Sequence, residues 1–254
     1  MRIALVVGGA GGLGRAAATR FAQDGMTVVI ADLDGDVAEK LAATLPGQGH
    51  CGISFNIADE ASVIAGFEYI EQKMGPVAVL AQFAGIIGAG GAGAGISLAD
   101  ATVEDWDRVQ SVNARGTFLC IREMARRRRR LAVEHGRIIT ISSGAGQLGS
   151  VQSGVAYSSS KATIIGLTRV AARELAPLGI TVNTIAPGPI DTPMLSLAIN
   201  ATGEQRRYSS LDAVPLRRIG EPDEIAAAAS YLASPEAGYV TGTTLDVNGG
   251  IHMH

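Results

Sequence analysis

Aromatic side chains are scarce in this chain, at 4% of 254 residues with a single tryptophan, and cysteine occurs only as Cys51 and Cys120. Two cysteines cannot staple a disulfide framework, and they have no metal-ligand spacing. Both fall in apolar patterns, where buried free thiols in a reducing compartment are expected. An excess of charge is also missing. The 21 Lys plus Arg nearly balance 24 Asp plus Glu, for a net charge of -3, so no overall field gathers nucleic acid or an anionic membrane. The exception is the run of five arginines from Arg126 to Arg130. It closes a helical pattern and reads as a solvated face suited to the negative end of a helix dipole, not as an RNA-binding patch. No apolar run is long enough to cross a bilayer and no leader pattern precedes the first apolar segment, so a cytoplasmic protein is expected.

Glycine, by contrast, is abundant at 33 residues, which suits tight turns and close helix-to-sheet packing. The length allows a large core, and one domain over residues 1–254 is expected. Residues 3–7 form an apolar run without alternation, as in a strand buried on both faces of a parallel sheet. Gly8, Gly9, Ala10, Gly11, Gly12, Leu13 and Gly14 follow, and a helix is predicted over 15–24, closed by Gly25. Strand, glycine turn and helix together make a phosphate site, because bare backbone lets a pyrophosphate approach while the helix N-terminus supplies free N–H groups and a positive dipole end. Glycines are so dense that one motif frame fits from Gly8 and another from Gly9.

A second strand over 27–31 ends at Asp32. A carboxylate there can accept the adenosine ribose hydroxyls and would repel a 2'-phosphate, and Leu33 offers no compensating cation, so NAD is expected over NADP. Asp34 is the competitor for the ribose. Helices are predicted over 37–44 and 60–74, and strands over 52–55 and 77–81. Asn56 and Ile57 follow one strand, and Phe83, Ala84 and Gly85 the other. This alternation argues for a parallel sheet with helices on both faces and ligands at the carboxyl ends of its strands. Residues 88–95 are nearly all glycine and alanine and read as a mobile surface loop. A long helix over 103–126 carries Asn113 in its interior, where asparagine has poor propensity. Strands over 137–141, 181–185 and 243–247 and a helix over 222–234 complete the pattern. The first of these strands runs into Ser142 and Ser143, and the second into Pro187, Gly188, Ile190 and Thr192.

Tyr157 and Lys161 stand four residues apart at the front of a helical run, on one face. An ammonium beside a phenol favours the phenolate, which is one way to make a general acid/base. Taken in order, the glycine turn, Asn113, Ser143, Tyr157 with Lys161, and Pro187-Gly188 resemble the short-chain dehydrogenase/reductase family in its single-domain, unextended branch. The likeness extends from Arg2 to Gly250. It implies an α/β, doubly wound Rossmann fold with a seven-stranded parallel sheet, and a catalytic tetrad of Asn113, Ser143, Tyr157 and Lys161, with Ser142 the alternative serine. On this resemblance Tyr157 exchanges the proton, Lys161 lowers its pKa and holds the nicotinamide ribose, Ser143 stabilises the oxyanion, and Asn113 holds a water leading to solvent. Ile190 and Thr192 would clamp the nicotinamide carboxamide, so the cofactor would be NAD.

The chain departs from the family at Val7, where threonine is usual, at Asn56, where aspartate commonly meets the adenine, and at Gln82-Phe83, which replaces an Asn-Asn pair. A small-molecule secondary alcohol or ketone is the expected substrate, under a lid over 194–216 that includes Met194, Leu195, Leu197 and Ile199. The family also implies a homotetramer. Two alternatives stand beside this reading, a 3-oxoacyl-(acyl-carrier) reductase and a non-catalytic dinucleotide-sensing regulator. No metal is expected.

Overall fold

The computed structural model describes residues 2–89, 96–193, 195 and 212–253. Seven parallel strands form one sheet in the order β3-β2-β1-β4-β5-β6-β7. They are β1 (Ile3–Val7), β2 (Thr27–Asp32), β3 (Cys51–Ser54), β4 (Val77–Gln82), β5 (Gly136–Ile141), β6 (Ile180–Pro187) and β7 (Thr244–Val247). Strands β1, β4, β5 and β6 are buried along their whole length, which is why their sequences are mostly apolar without a polar alternation.

Successive residues of β1 serve opposite faces. Ala4 and Val6 pack with Phe21, Ala38 and Ile225, from α1 (Gly12–Gln23), α2 (Gly35–Ala42) and α8 (Pro222–Ala233). Leu5 and Val7 pack with Phe67, Leu119 and Ala171. These come from α3 (Glu60–Lys73), α5 (Gly116–Arg130) and α7 (Val155–Leu175). The chain builds outward from β1 to β3 and then returns to place β4 on the other side of β1. The strand order therefore reverses between β1 and β4, which opens a crevice at their carboxyl ends. At the sheet edge, Glu39 of α2 takes the Gly52 N–H of β3 on its Oε2 at 2.6 Å.

Helix starts differ from the sequence expectation where capping decides them. α1 begins at Gly12 rather than residue 15, since the glycine turn itself enters the helix and no side chain caps it. α2 begins at Gly35 because the Asp34 carboxylate accepts the Val37 N–H at 3.0 Å, an N-cap bond.

The helix predicted over 103–126 is three pieces. α4 (Val103–Gln110) passes into a π-helical turn, Ser111–Arg115, and then into α5, which runs on to Arg130. The arginine run is a solvated face only in part. Arg127 pairs with Glu123 at 2.7 Å and with Glu71 at 3.2 Å. Arg128, 2% exposed, also pairs with Glu71, and just upstream Arg122 pairs with Glu60. These carboxylates lie on α3 or one turn earlier on α5. The basic run is thus drawn inward by partners, and within it only Arg126, Arg129 and Arg130 are exposed.

Cys120 is buried, whereas Cys51 is only partly so, with its Sγ 3.5 Å from Met74 Sδ. Among the described residues no helix is long and apolar enough to cross a membrane. Of the glycine/alanine loop expected over 88–95 only Gly88 and Ala89 lie within the described residues, and of the lid over 194–216 only Leu195 and residues 212–216. Met194, Leu197 and Ile199 fall outside them.

Candidate active site

Close packing shapes the glycine turn. Gly8 has φ +75°, and a Cβ on it would stand 2.5 Å from the Ala84 nitrogen, while one on Gly14 would stand 2.1 Å from the Gly8 carbonyl oxygen. The first turn of α1 therefore lies directly on the end of β1, beside the end of β4. The Gly11 N–H bonds back to Gly8 O at 3.2 Å. With no side-chain cap, the leading N–H groups of Gly12, Leu13 and Gly14 are left for an outside acceptor. A Cβ on Gly12 would lie 3.2 Å from Thr192 Cγ2, so the turn after β6 faces the glycine turn across the crevice. Uncapped donors in a channel that a methyl group would narrow fit the pyrophosphate of a dinucleotide.

Asp32 closes β2 with both carboxylate oxygens in use. Oδ2 accepts the Ala10 N–H at 2.9 Å and Oδ1 the Leu33 N–H at 2.8 Å. Its carboxylate is thereby tied to the glycine turn, whereas Asp34, its rival, is spent as the α2 cap. Asn56 is exposed at the end of β3, and its Oδ1 accepts the Ala58 N–H at 3.0 Å. Three other residues expected at the cofactor turn their side chains into packing. Ile57, 5% exposed, lies against Gly116, where a Cβ would meet its Cγ1 at 2.7 Å. Phe83 joins the core on the α1 face, and Ile190, 7% exposed, packs beside Gly220. A Cβ on Gly188 would stand 2.8 Å from Asn248 Cα, so Pro187-Gly188 can turn there only without a side chain.

Tyr157 and Lys161 lie one turn apart on α7, with Lys161 Nζ 5.6 Å from the centre of the tyrosine ring. The amine donates to the Ile141 carbonyl at 2.9 Å. Ser143 caps α6 (Gly144–Leu148), accepting the Ala145 N–H at 3.1 Å, and its hydroxyl is the polar group that acts on the Tyr157 phenol. Ser142 is excluded as the alternative. It is 1% exposed and gives its hydroxyl to Ile185 O at 3.1 Å. A Cβ on Gly85 would sit 3.3 Å from both Asn113 Oδ1 and Lys161 Nζ. Gly85 is therefore the point where the chain leaving β4 slips past the amine.

Two expectations need correction. Asn113 does not present a free amide to a water. Oδ1 accepts the Ile86 N–H at 2.8 Å, and Nδ2 donates to Ile86 O at 2.9 Å and Ser160 Oγ at 3.0 Å. Its side chain is a fastening between the π turn, the segment after β4 and the helix that carries Tyr157. Nor does the ammonium draw the phenol down. Burial pushes the Tyr157 phenol up, and the Ser143 hydrogen bond is the influence acting downward. Burial pulls Lys161 down to about 8. Desolvation wins because the amine spends its contact on a carbonyl oxygen and not on the phenol. At neutral pH the site accordingly holds a protonated phenol beside a cation.

The sequence reading missed Thr117 and Ser160, both buried. Nothing marks them in the sequence except their positions one turn from Asn113 and Tyr157. Gln82 was noted only as a departure, yet it shares a bond with Thr117 at 2.7 Å.

Residues 8–252 match a family model described as enoyl-(acyl carrier protein) reductase. A short-chain dehydrogenase/reductase of Armillaria gallica is 38% identical over 98% of this chain and 95% of its own length. An acetoacetyl-CoA reductase of Allochromatium vinosum is 39% identical over 100% of this chain and 99% of its own. Among solved structures, one described as ribose-5-phosphate isomerase from Brucella melitensis 16M superposes with a TM-score of 0.87 at 32% identity, covering 98% of this chain and 92% of that one.

Proposed function

The chain belongs to the short-chain dehydrogenase/reductase family, and from that premise we propose a single-domain NAD(H)-dependent enzyme that moves a hydride between nicotinamide and a secondary alcohol or ketone. The carrying observation is that Tyr157 and Lys161 lie one turn apart on α7, with the amine 5.6 Å from the tyrosine ring and beside Gly85 at the mouth of the crevice. Nicotinamide, when bound, supplies the hydride acceptor or donor. The protein's part is the proton and the developing charge.

In the reductive direction the Tyr157 phenol, protonated because burial raises its pKa, gives its proton to the carbonyl oxygen. Ser143 donates a hydrogen bond to the same oxygen as negative charge develops there. Lys161 remains the nearby cation beside the phenolate that is left behind. Oxidation runs these steps backward, with the phenolate as base. Gly12, Leu13 and Gly14 would hold the pyrophosphate, and Asp32 the adenosine ribose. Asp32 supports NAD over NADP, because a carboxylate at the end of β2 would repel a 2'-phosphate.

A second substrate reading has support in the relative that reduces acetoacetyl-CoA. On that reading the ketone is the 3-oxo group of an acyl thioester. One experiment separates the two: a panel of secondary alcohols, simple ketones and 3-oxoacyl thioesters, each with NADH/NAD and NADPH/NADP, followed by cofactor absorbance. Turnover of simple ketones supports the first reading, turnover confined to thioesters the second, and none across the panel defeats both. The two free thiols suit a reducing, cytoplasmic setting, and the family resemblance supports a homotetramer, which light scattering would test.

A further inference from the structure

Beneath the site runs a chain of buried hydrogen bonds that the proposed chemistry does not use. Gln82 Nε2 donates to Thr117 Oγ1 at 2.7 Å, and Thr117 Oγ1 donates in turn to the Asn113 main-chain oxygen at 2.6 Å. Gln82, Thr117 and Asn113 are 2%, 1% and 0% exposed, so water cannot replace any of these partners without entry into the core. Beyond Asn113 the chain divides. One branch passes through Ser160 Oγ, which accepts from Asn113 Nδ2 at 3.0 Å and donates to the Tyr157 main-chain oxygen at 2.7 Å. The other is the reciprocal pair with Ile86, just past Gly85.

The π turn explains why such a support is needed. There Gly116 donates back five residues, to Ser111 O, and this extra residue disturbs the regular ladder of the helix. A threonine hydroxyl returning to a carbonyl four residues earlier gives that carbonyl a donor. Gln82 brings the second hold from the end of β4. Its extra methylene over asparagine lengthens its reach toward α5, which accounts for the departure noted at this position.

We infer that Gln82 and Thr117 are positioning residues: they lock the π turn so that Asn113 holds the Ile86 segment and the Tyr157–Lys161 turn of α7 in register. The kinetic part of this inference rests on the oxidoreductase reading above, and the structural part does not.

The test compares full-length wild type with Thr117→Val, which keeps shape but loses the hydroxyl, Thr117→Ser, which keeps the hydroxyl but leaves a void, and Gln82→Met. Hydrogen exchange of the peptide covering residues 111–118 is read by mass spectrometry, and turnover is read with acetoacetyl-CoA and NADH as probes. Loss of one such bond should speed exchange about tenfold in Thr117→Val and Gln82→Met and lower kcat about tenfold at unchanged KM. Thr117→Ser should stay within about twofold of wild type on both. Wild-type behaviour of Thr117→Val and Gln82→Met would overturn the inference, and so would a Thr117→Ser more impaired than Thr117→Val, since packing alone would then rule. Should Thr117→Val fail to fold, Gln82→Met decides. If wild type does not turn over acetoacetyl-CoA, the thioester reading fails while the exchange comparison still judges the positioning role.

Discussion

Lys161 reaches past Tyr157 to the carbonyl of Ile141, donating there at 2.9 Å while its Nζ stands 5.6 Å from the ring centre. The amine is therefore anchored to the end of β5, while Ser143 is the group that acts on the phenol. Each group can be changed without removing the other's anchor.

Tyr157→Phe keeps the ring and its packing but removes the proton. Turnover should fall by about 10²–10⁴-fold, the range for loss of a general acid/base, with NADH affinity within about twofold of wild type. Steady-state rates and fluorescence titration of NADH check the two halves. Retained turnover would remove the phenol from the mechanism.

The depressed pKa of Lys161 has a defined sign in stability. Its folded value of about 8 lies below the ordinary lysine value of 10.5, so between those pH values the unfolded chain binds more protons and stability rises with pH. Below pH 8 the cost of burying the charge is present in full. Tyr157, pushed up, acts oppositely once the unfolded phenol ionises near pH 10, and so does Cys120, pushed up to about 12, above the pH at which an unfolded thiol ionises. Lys161→Met retains both of those groups and is the proper comparison. It should be more stable than wild type at pH 7, and that advantage should shrink by about 2 kcal/mol at pH 10. Urea midpoints at the two pH values measure it, and a constant difference would contradict the buried ammonium.

Asp32→Ala removes the carboxylate that takes the Ala10 N–H at 2.9 Å. The ratio of NADH to NADPH affinity should move toward NADPH by about tenfold, the scale of one charge-assisted contact. Parallel titrations with the two cofactors would expose an unchanged ratio, which would show that selectivity lies elsewhere.

Glu71 is the shared partner of Arg127 and Arg128. Glu71→Ala should cost about 3 kcal/mol, because it strands the buried Arg128 charge, whereas Arg128→Met removes the charge with its partner's need and should cost less. Two Arg128 nitrogens, Nε and Nη1, already lack hydrogen-bond partners, which sharpens the contrast. Chemical denaturation of the two variants orders them.

Much of the fold was legible because the buried strands are mostly apolar, β1 without a break, and because glycines cluster where backbones touch. Gly8 and Gly14 are examples of contacts so close that only a missing side chain permits them. Tyr157, Lys161 and Ser143 were legible as types and spacings. The π turn was not, since five residues of widened helix leave no mark on an apolar periodicity of 3.6. The inward part of the arginine run was not legible because Glu71, the carboxylate shared by Arg127 and Arg128, sits more than fifty residues earlier. Likewise Asn113 was expected to face water because its partners, Ile86 and Ser160, come from segments that meet only after the sheet is assembled.

Glu39 at the Gly52 N–H gives β3 a stopper on its outer flank. A neighbouring molecule seeking to extend the sheet there would have to evict a carboxylate before it could offer its own carbonyl, so ribbon-like growth through that border is discouraged.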